Sequence, residues 1–462
     1  MTKVIGRQSS APVVTELDAG GLGDGGFIAR PAGVVRVRMY AWYALALMWG
    51  VLLFRFVDLQ IITVLLESIR KEFRISDTQL GLLSGTAFAL FYGALGVPMG
   101  WLADRYNRRN LIAGCLALWS VMTALCGFAT SVGSLFLARM AVGVGEAGGA
   151  PPAYSLVSDY FPAARRSSIF AVLSSATPFG VGVGLFFGGW ANHYLGWRWA
   201  LIGVGFPGLF LALLIRFTLK EPARGAADRT RAPASPPLME TYKYLLRVPS
   251  YRHLVLATSI FTMGATGSGI WIASFFIRVH QMPPVEVATA LALIYGVGGT
   301  LGTLAGGFCA DRLSRRTGNR AWQARLPALT TAGILPLAFF VYLWPGAIMA
   351  LLVHSGTAFL MHAYMGPAYG TVQSVAGVNR RATAAAINLL ATNLIALGLG
   401  PLLVGVASDY LNPRFGNDSL RYSILTVVTV CYSWAAVHFL LASKTVHRDL
   451  ETAAKESLAL AR

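Results

Sequence analysis

The sequence predicts an all-α membrane protein: twelve transmembrane helices in two six-helix bundles, related by an internal pseudo-twofold repeat. Three observations predict it. Apolar residues gather into long uncharged runs, Lys and Arg collect on one side of those runs, and one charged motif occurs twice. Of 462 residues, 55% are hydrophobic and only 13% charged, with a mean hydropathy of +0.58, so a set of soluble domains is set aside. Residues 78–103 run without a charge, enough to cross a hydrocarbon core of about 30 Å as a helix.

In chain order, the tail 1–38 is rich in Gly and polar residues and lacks the short apolar core of a cleaved signal peptide. It reads as a disordered cytoplasmic segment, and the first apolar helix as its own insertion signal. Apolar spans follow at roughly 39–68, 78–103, 109–130, 132–158, 167–190 and 197–218, then 253–278, 285–310, 322–344, 346–373, 382–408 and 421–442. Before the second stands Ser76-Asp-Thr-Gln79, where Ser76 can cap the backbone and Gln79 reach back, closing a capping box. An even number of spans puts both termini on one side. Lys and Arg number about 28 in the tails and even-numbered loops against about 7 in the odd-numbered loops, which makes both termini cytoplasmic. A bacterial inner membrane is the expected location.

The longest loop, 219–251, carries Lys220-Glu-Pro222 and the Pro-rich "RAPASPP". It separates a first bundle, 39–218, from a second, 252–443, and a cytoplasmic tail fills 444–462. Within the loop "LMETYKYLLR" puts apolar residues on one helical face. A short helix on the membrane surface and a flexible linker are both open.

The net charge of +18 raises nucleic acid as a partner, but the arginines sit at the ends of apolar runs, where they face lipid headgroups. No nucleic-acid partner is expected. Cys115, Cys126, Cys309 and Cys431 each stand alone in an apolar segment, which excludes disulfide and zinc readings and leaves small core residues. No metal or cofactor is expected. Gly143-Val-Gly145-Glu-Ala-Gly148 matches a dinucleotide fingerprint, yet no strand delivers it, it lies inside an apolar span, and its central acid would repel a pyrophosphate. It reads as a transmembrane helix whose glycines permit close packing, with Pro151 and Pro152 loosening its inner end.

"GWLADRYNRR" after the second span and "GFCADRLSRR" after the eighth share the form G-x-x-x-D-R-x-x-R-R: Gly100, Asp104, Arg105, Arg108 and Arg109, then Gly307, Asp311, Arg312, Arg315 and Arg316. Arg165-Arg166 and Arg380-Arg381 echo each other in the same order, which marks an internal duplication. The glycine lets two helices cross closely, the aspartate faces the positive end of a neighbouring helix, and the arginines bind carboxylates or lipid phosphates. Two copies in register point to a cytoplasmic gate rather than a lone positive-inside anchor. At these residues the chain resembles the major facilitator superfamily of secondary transporters, whose signature loop has this form. Within it, "VGVGEAG", "SDYFPAARR" and "GLGPLLVGVASD" resemble the spinster-like branch. The usual central glycine of the signature is Asn107 in the first copy and Ser314 in the second.

Four ionisable residues lie well within spans of the first half: Arg55 and Asp58 in the first, Arg139 and Glu146 in the fourth. A mid-bilayer Asp, Lys or Arg costs about 2.5–3.5 kcal/mol, so unpaired charges there need partners. Arg55 and Asp58 share one helical face, and Arg139, Gly143 and Glu146 share another. Counting about 1.5 Å per residue from the outer ends puts Asp58 near Arg139 and Arg55 near Glu146. These pairs either only lock two helices or let a carboxylate take up a proton when its arginine moves away; the functional reading is preferred. The resemblance implies the same proton-coupling roles for Asp58 and Glu146. The family's Arg after the helix-one aspartate is Leu59 here, with Arg55 three residues before Asp58.

A substrate cavity is expected between Gln60 and a neutral, aromatic wall on spans seven and ten: Thr262, Thr266, Ser268, Trp271, His354, His362 and Tyr364. No Asp, Glu, Lys or Arg is expected to face it from those spans. Such a site suits a small organic or amphipathic solute with an anionic head near Arg55 or Arg139 and an apolar body against Trp271 and Tyr364. The reading is thus a monomeric, proton-coupled secondary transporter working by alternating access, its partners being the solute, protons and the bilayer. A permease for short sugar-acid or aromatic-acid anions is the alternative within transport, and a non-transporting receptor or scaffold the alternative outside it. No H-E-x-x-H or G-x-S-x-G motif supports an enzyme.

Overall fold

The computed structural model describes residues 32–161, 169, 172–222, 237–377 and 380–459, among which there are helices and turns but no strand. Contacts divide the chain into a short unit, Met1–Tyr40, and a second, Ala41–Arg462, within which all contacts below fall. Ten helices are long and apolar enough to cross a membrane. The last of them, Thr383–Glu456, runs for 74 residues but holds two crossings, because the chain reverses at the tight turn Gly416–Asp418, where Gly416 takes a φ of +55°. One further crossing is interrupted, so that neither piece is long enough alone: Val132–Glu146 and Ala150–Tyr160. The described residues therefore hold the twelve expected crossings: α1 Ala32–Phe73, α2 77–105, α3 Arg108–Cys126, α4 132–160, α5 Ala176–Leu195, α6 Trp197–Thr218, α7 Pro249–Arg278, α8 Pro284–Thr317, α9 Trp322–Leu343, α10 Ala347–Ser374, α11 381–415 and α12 Ser419–Ala459.

Local sequence explains the interruptions. Pro151 and Pro152 open the second piece of α4, where their missing N–H groups cost least. α10 breaks at Tyr364, just before Pro367. Pro152-Ala153-Tyr154 and Pro367-Ala368-Tyr369 stand at corresponding places of the two halves, so the duplication extends to the helix breaks. The start of α2 is capped as its sequence requires, with Gln79 N donating to Ser76 Oγ at 3.2 Å and Ser76 N to Gln79 Oε1 at 3.0 Å.

The fingerprint-like glycines of α4 are packing residues. A Cβ at Gly143 would stand 2.6 Å from the Phe88 carbonyl oxygen of α2, and one at Gly145 would stand 2.8 Å from Trp119 Cβ of α3. Cys115, Cys126 and Cys431 are buried as expected, whereas Cys309 is exposed: its side of α8 faces out of the bundle.

Two seams join the sequence halves, α2 with α11 and α5 with α8. The first is tight at the end carrying Ser76, where a Cβ on Gly405 would clash with Asp77 O and one on Gly81 with Pro401 O, while Thr86 Oγ1 donates to Gly398 O at 2.7 Å. Further along α2, a Cβ at Gly96 would meet nothing within 4 Å, so this close approach is not repeated there. Three helices along these seams widen by a π-turn: Leu82–Thr86 in α2, Ile294–Gly299 in α8 and Asn393–Leu397 in α11. Such turns concentrate at functional sites.

The loop segment "LMETYKYLLR" forms a helix, Leu238–Arg247, and packs on the extension of α12. Tyr244 Oη donates to Glu456 Oε2 at 3.0 Å, and the Arg380 guanidinium lies 4.0 Å from the Tyr244 ring.

Gly143→Val is expected to destabilise the purified protein by about 1–3 kcal/mol through overpacking, while Gly203→Ala, where a Cβ meets nothing within 4 Å, leaves it unchanged. Thermal unfolding in detergent followed by size-exclusion chromatography checks both; equal stability of the two variants would contradict the close α2–α4 crossing.

Candidate functional site

Four charges meet at the crossing of α1 and α4. Arg55 Nε lies 3.2 Å from Glu146 Oε2, and Arg139 NH1 lies 3.4 Å from Asp58 Oδ2. The register follows from helix geometry: α1 and α4 run in opposite directions, so residues spaced along one face of each meet in reversed order. Asp58 is the better satisfied carboxylate, since Thr123 Oγ1 of α3 donates to its Oδ1 at 2.6 Å. Glu146 is fully buried, and neither of its oxygens has an aligned hydrogen bond; the same holds for Arg55 Nε and for Nε and NH2 of Arg139. A buried network so incompletely satisfied is costly to hold in one state. Two aromatic rings of α2 cover the cations, Tyr92 at 4.9 Å from Arg55 and Phe88 at 5.9 Å from Arg139.

Beside this cluster lies a cavity of about 200 Å³. Gln60 of α1, two residues beyond Asp58, lines it, as do Thr266, His362 and Tyr364. Each π-turn also contributes a wall residue: Ser84, Tyr295 and Leu397. Asp58, Glu146, Arg55 and Arg139 are not among its lining residues; Leu59 and Phe88 are.

Four residues expected on this wall stand elsewhere. Trp271 is wholly buried, its Nε1 donating to Pro401 O of α11 at 2.9 Å, so it joins α7 to α11. Thr262 sits behind Tyr364, its hydroxyl 3.2 Å from that phenol. His354 is held between Tyr295 Oη, at 3.1 Å, and Thr357 Oγ1, at 2.9 Å, and lines a smaller void that Ser268 also borders. Each stands on a helix that contributes to the cavity wall, but of the residues expected on α7 and α10 only Thr266, His362 and Tyr364 line it. The anionic head expected near Arg55 or Arg139 also loses its basis, because both cations are spent on carboxylates and no Arg or Lys lines the cavity.

Sequence reasoning missed a second charged cluster, at the Ser76 end. Arg278, the last residue of α7, lies 2.6 Å from Glu67 of α1 and 2.7 Å from Asp77 of α2. Asp77 also accepts from Ser408 Oγ of α11 at 2.7 Å, and Asp409 caps α2 from α11, accepting from Asp77 N and Thr78 N at 3.0 and 2.8 Å. A signal was present: Arg278 ends a span on the side where basic residues are otherwise scarce. One buried cation thus joins both halves.

The repeated motif behaves differently in its two copies. Arg108 is buried, with NH1 2.6 Å from Asp159 and Nε 2.7 Å from Glu221, while Arg109 N donates to Glu221 Oε2 at 2.9 Å, so the first copy holds its own half and the start of the central loop. Arg105 is exposed, and the Asp104 side chain lies outside the described residues. In the second copy Asp311 accepts from Gln323, in the first turn of α9, at 2.8 Å, and Arg312, Arg315 and Arg316 are exposed. A Cβ at Gly100 or Gly307 meets nothing within 4 Å; the tight α8–α10 contact is at Gly306 against Ala363, with the Gly307 backbone 3.5 Å from a Cβ built on Gly366. Arg380 pairs with Glu456 at 3.4 Å, whereas Arg165, Arg166 and the Arg381 side chain lie outside the described residues.

Comparison with known proteins fits this geometry. A family model described as Major Facilitator Superfamily matches residues 48–401. An MFS-type efflux pump of Mycolicibacterium smegmatis is 30% identical, over 89% of this chain and 94% of its own length. Protein spinster homolog 1 of Mus musculus is 31% identical, over 81% of this chain and 75% of its own. Among solved structures, a bacterial homologue of the human lysosomal transporter Spinster, inward-facing and unoccupied, superposes with a TM-score of 0.79 at 28% identity, covering 89% of this chain and 98% of that one.

Replacing Arg278 by Gln leaves Glu67 without its cation and Asp77 with only the partly exposed Arg70, 3.2 Å away, a cost of up to about 3–5 kcal/mol for a broken buried pair. Spin labels at Lys71 and Arg414, on turns at the Ser76 end, are expected to show a longer mean distance in Arg278→Gln than in wild type. An unchanged distance distribution would mean that the cluster does not hold this end closed.

Proposed function

The chain belongs to the major facilitator superfamily, in its spinster-like branch, and from that premise we propose that it is a proton-coupled secondary transporter of a small amphipathic solute. The observation that carries the reading is the pair of crossed ion pairs at 3.2 and 3.4 Å, buried between α1 and α4 beside the cavity wall. A full charge is kept there only by its opposite.

In this reading Glu146 takes up the proton. Protonating it releases one ion pair and no aligned hydrogen bond, whereas protonating Asp58 also disturbs the bond from Thr123. Arg55, freed from Glu146, lets α1 shift against α4, and α1 also carries Glu67, one of the two acids that hold Arg278. The proton is then linked to the Ser76 end, which the excess of basic residues in the tails and even-numbered loops assigns to the outer face. Closed there, the protein stands inward-facing in this reading, with both termini cytoplasmic, and acts as a monomer in a bacterial inner membrane. Alternating access then consists of breaking the Arg278 cluster and bringing together the Arg108 end, the gate assigned to the repeated motif.

The cavity supports an amphipathic solute through its mix of apolar, aromatic and uncharged polar residues. A permease for short hydrophilic anions would need a cation on that wall. A scaffold without transport would show no flux at all.

In proteoliposomes with an imposed pH gradient, wild type is expected to drive a solute found by ligand stabilisation uphill. Asp58→Asn and Glu146→Gln are expected to lose that accumulation by tenfold or more while retaining solute counterflow. Full proton-driven accumulation in both variants contradicts the coupling proposal, and absence of counterflow in wild type contradicts transport itself.

A further inference from the structure

We infer that His362 selects the solute, admitting heads that carry N–H or O–H donors, a primary ammonium above all; the inference rests on the transporter reading and narrows its substrate class. His362 Nδ1 lies 2.8 Å from the carbonyl oxygen of Ala358, one turn earlier in α10. A carbonyl only accepts, so Nδ1 carries the hydrogen of that bond. No carboxylate lines the cavity to balance a second proton, so the ring is taken as neutral, and Nε2 is the lone-pair nitrogen of a residue that lines the cavity. The ring cannot readily turn away, because it packs on the π-turn of α8: a Cβ on Gly299 would stand 3.1 Å from its Cε1.

The remaining polar groups of the wall point the same way. Ser84 Oγ donates to Leu80 O at 2.8 Å, and Thr266 Oγ1 donates to Ala396 O at 2.8 Å, so both hydroxyl hydrogens are spent on backbone. Tyr295 Oη is bonded to His354 Nε2 at 3.1 Å, and Tyr364 Oη to the Thr262 hydroxyl at 3.2 Å. What these groups turn toward a solute is lone pairs. Gln60 is the exception: its Oε1 accepts from Thr63 Oγ1 at 3.2 Å, which leaves its amide N–H groups as donors. A wall rich in acceptors and poor in donors suits a head that donates and leaves a carboxylate unsatisfied. Phe88, Phe261 and Tyr364 add ring faces that attract a cation.

Three eight-carbon probes separate head chemistry from chain length: octylamine, octyltrimethylammonium, which keeps the charge but has no N–H, and octanoate. Binding is measured by isothermal titration to the full chain in nanodiscs, with empty nanodiscs subtracted. Wild type is expected to bind octylamine roughly tenfold more tightly than the trimethyl analogue, the scale of one hydrogen bond to a charged group, and octanoate most weakly. His362→Phe, which keeps a flat ring on Gly299 but offers no acceptor, is expected to bring octylamine to the level of the trimethyl analogue and leave the latter unchanged. His362→Gln, with an amide oxygen, is expected to recover part of the preference. Equal binding of the two cations by wild type, tightest binding of octanoate, no binding of octylamine, or an equal fall for both cations in His362→Phe overturns the inference. Loss of proton-driven flux with the amine preference intact bears on the coupling reading alone, so the two failures remain distinguishable.

Discussion

Two guanidinium groups and two carboxylates meet in the interior of the first bundle, and the arrangement of α1, α3 and α4 keeps each beside its opposite. A lone charge at that depth would be expelled or neutralised. The pairs require α1 and α4 to cross with Arg55 over Glu146 and Asp58 over Arg139. The crossing is close because Gly143 brings α4 against the backbone of α2 at Phe88, and Gly145 brings it against α3 at Trp119. The same Phe88 ring then stands between Arg139 and the cavity. Charge, glycine and ring form one device, and the cavity wall is built on its back.

The two halves use their shared architecture for different chemistry. In both, the fourth helix of the half breaks before a Pro-Ala-Tyr sequence. Just ahead of the break the first half carries Glu146, buried and paired, and the second carries His362, open to the cavity. In the proposed reading this asymmetry gives energy coupling to one half and solute recognition to the other. Between them the seams carry three π-turns, each of which places a residue on the cavity wall.

Much of this was legible in the residues themselves. Span number, the capping box at Ser76 and the spacing of the four charges are local properties, fixed by composition and by 3.6-residue periodicity. Periodicity says which residues share a face but not which neighbour that face meets. Trp271 therefore turns to α11 instead of the cavity, and Thr262 and His354 bond to Tyr364 and Tyr295, which line it in their place. The Arg278 cluster escaped because its members come from α1, α2, α7 and α11, and their meeting depends on tertiary packing that no local pattern encodes. The π-turns carry no reliable sequence mark, and the repeated motif gave no sign that its copies hold different partners.

The central claim is that a proton on Glu146 replaces its ion pair with Arg55. Infrared difference spectroscopy of the reconstituted protein, recorded as the pH is lowered, tests it most directly by following the C=O stretch of a protonated carboxylic acid. The account predicts a band that appears on acidification in wild type, is absent in Glu146→Gln, and rises together with the distance between labels on Lys71 and Arg414. A band of full intensity in Glu146→Gln, or one that appears with no change in that distance, would contradict it.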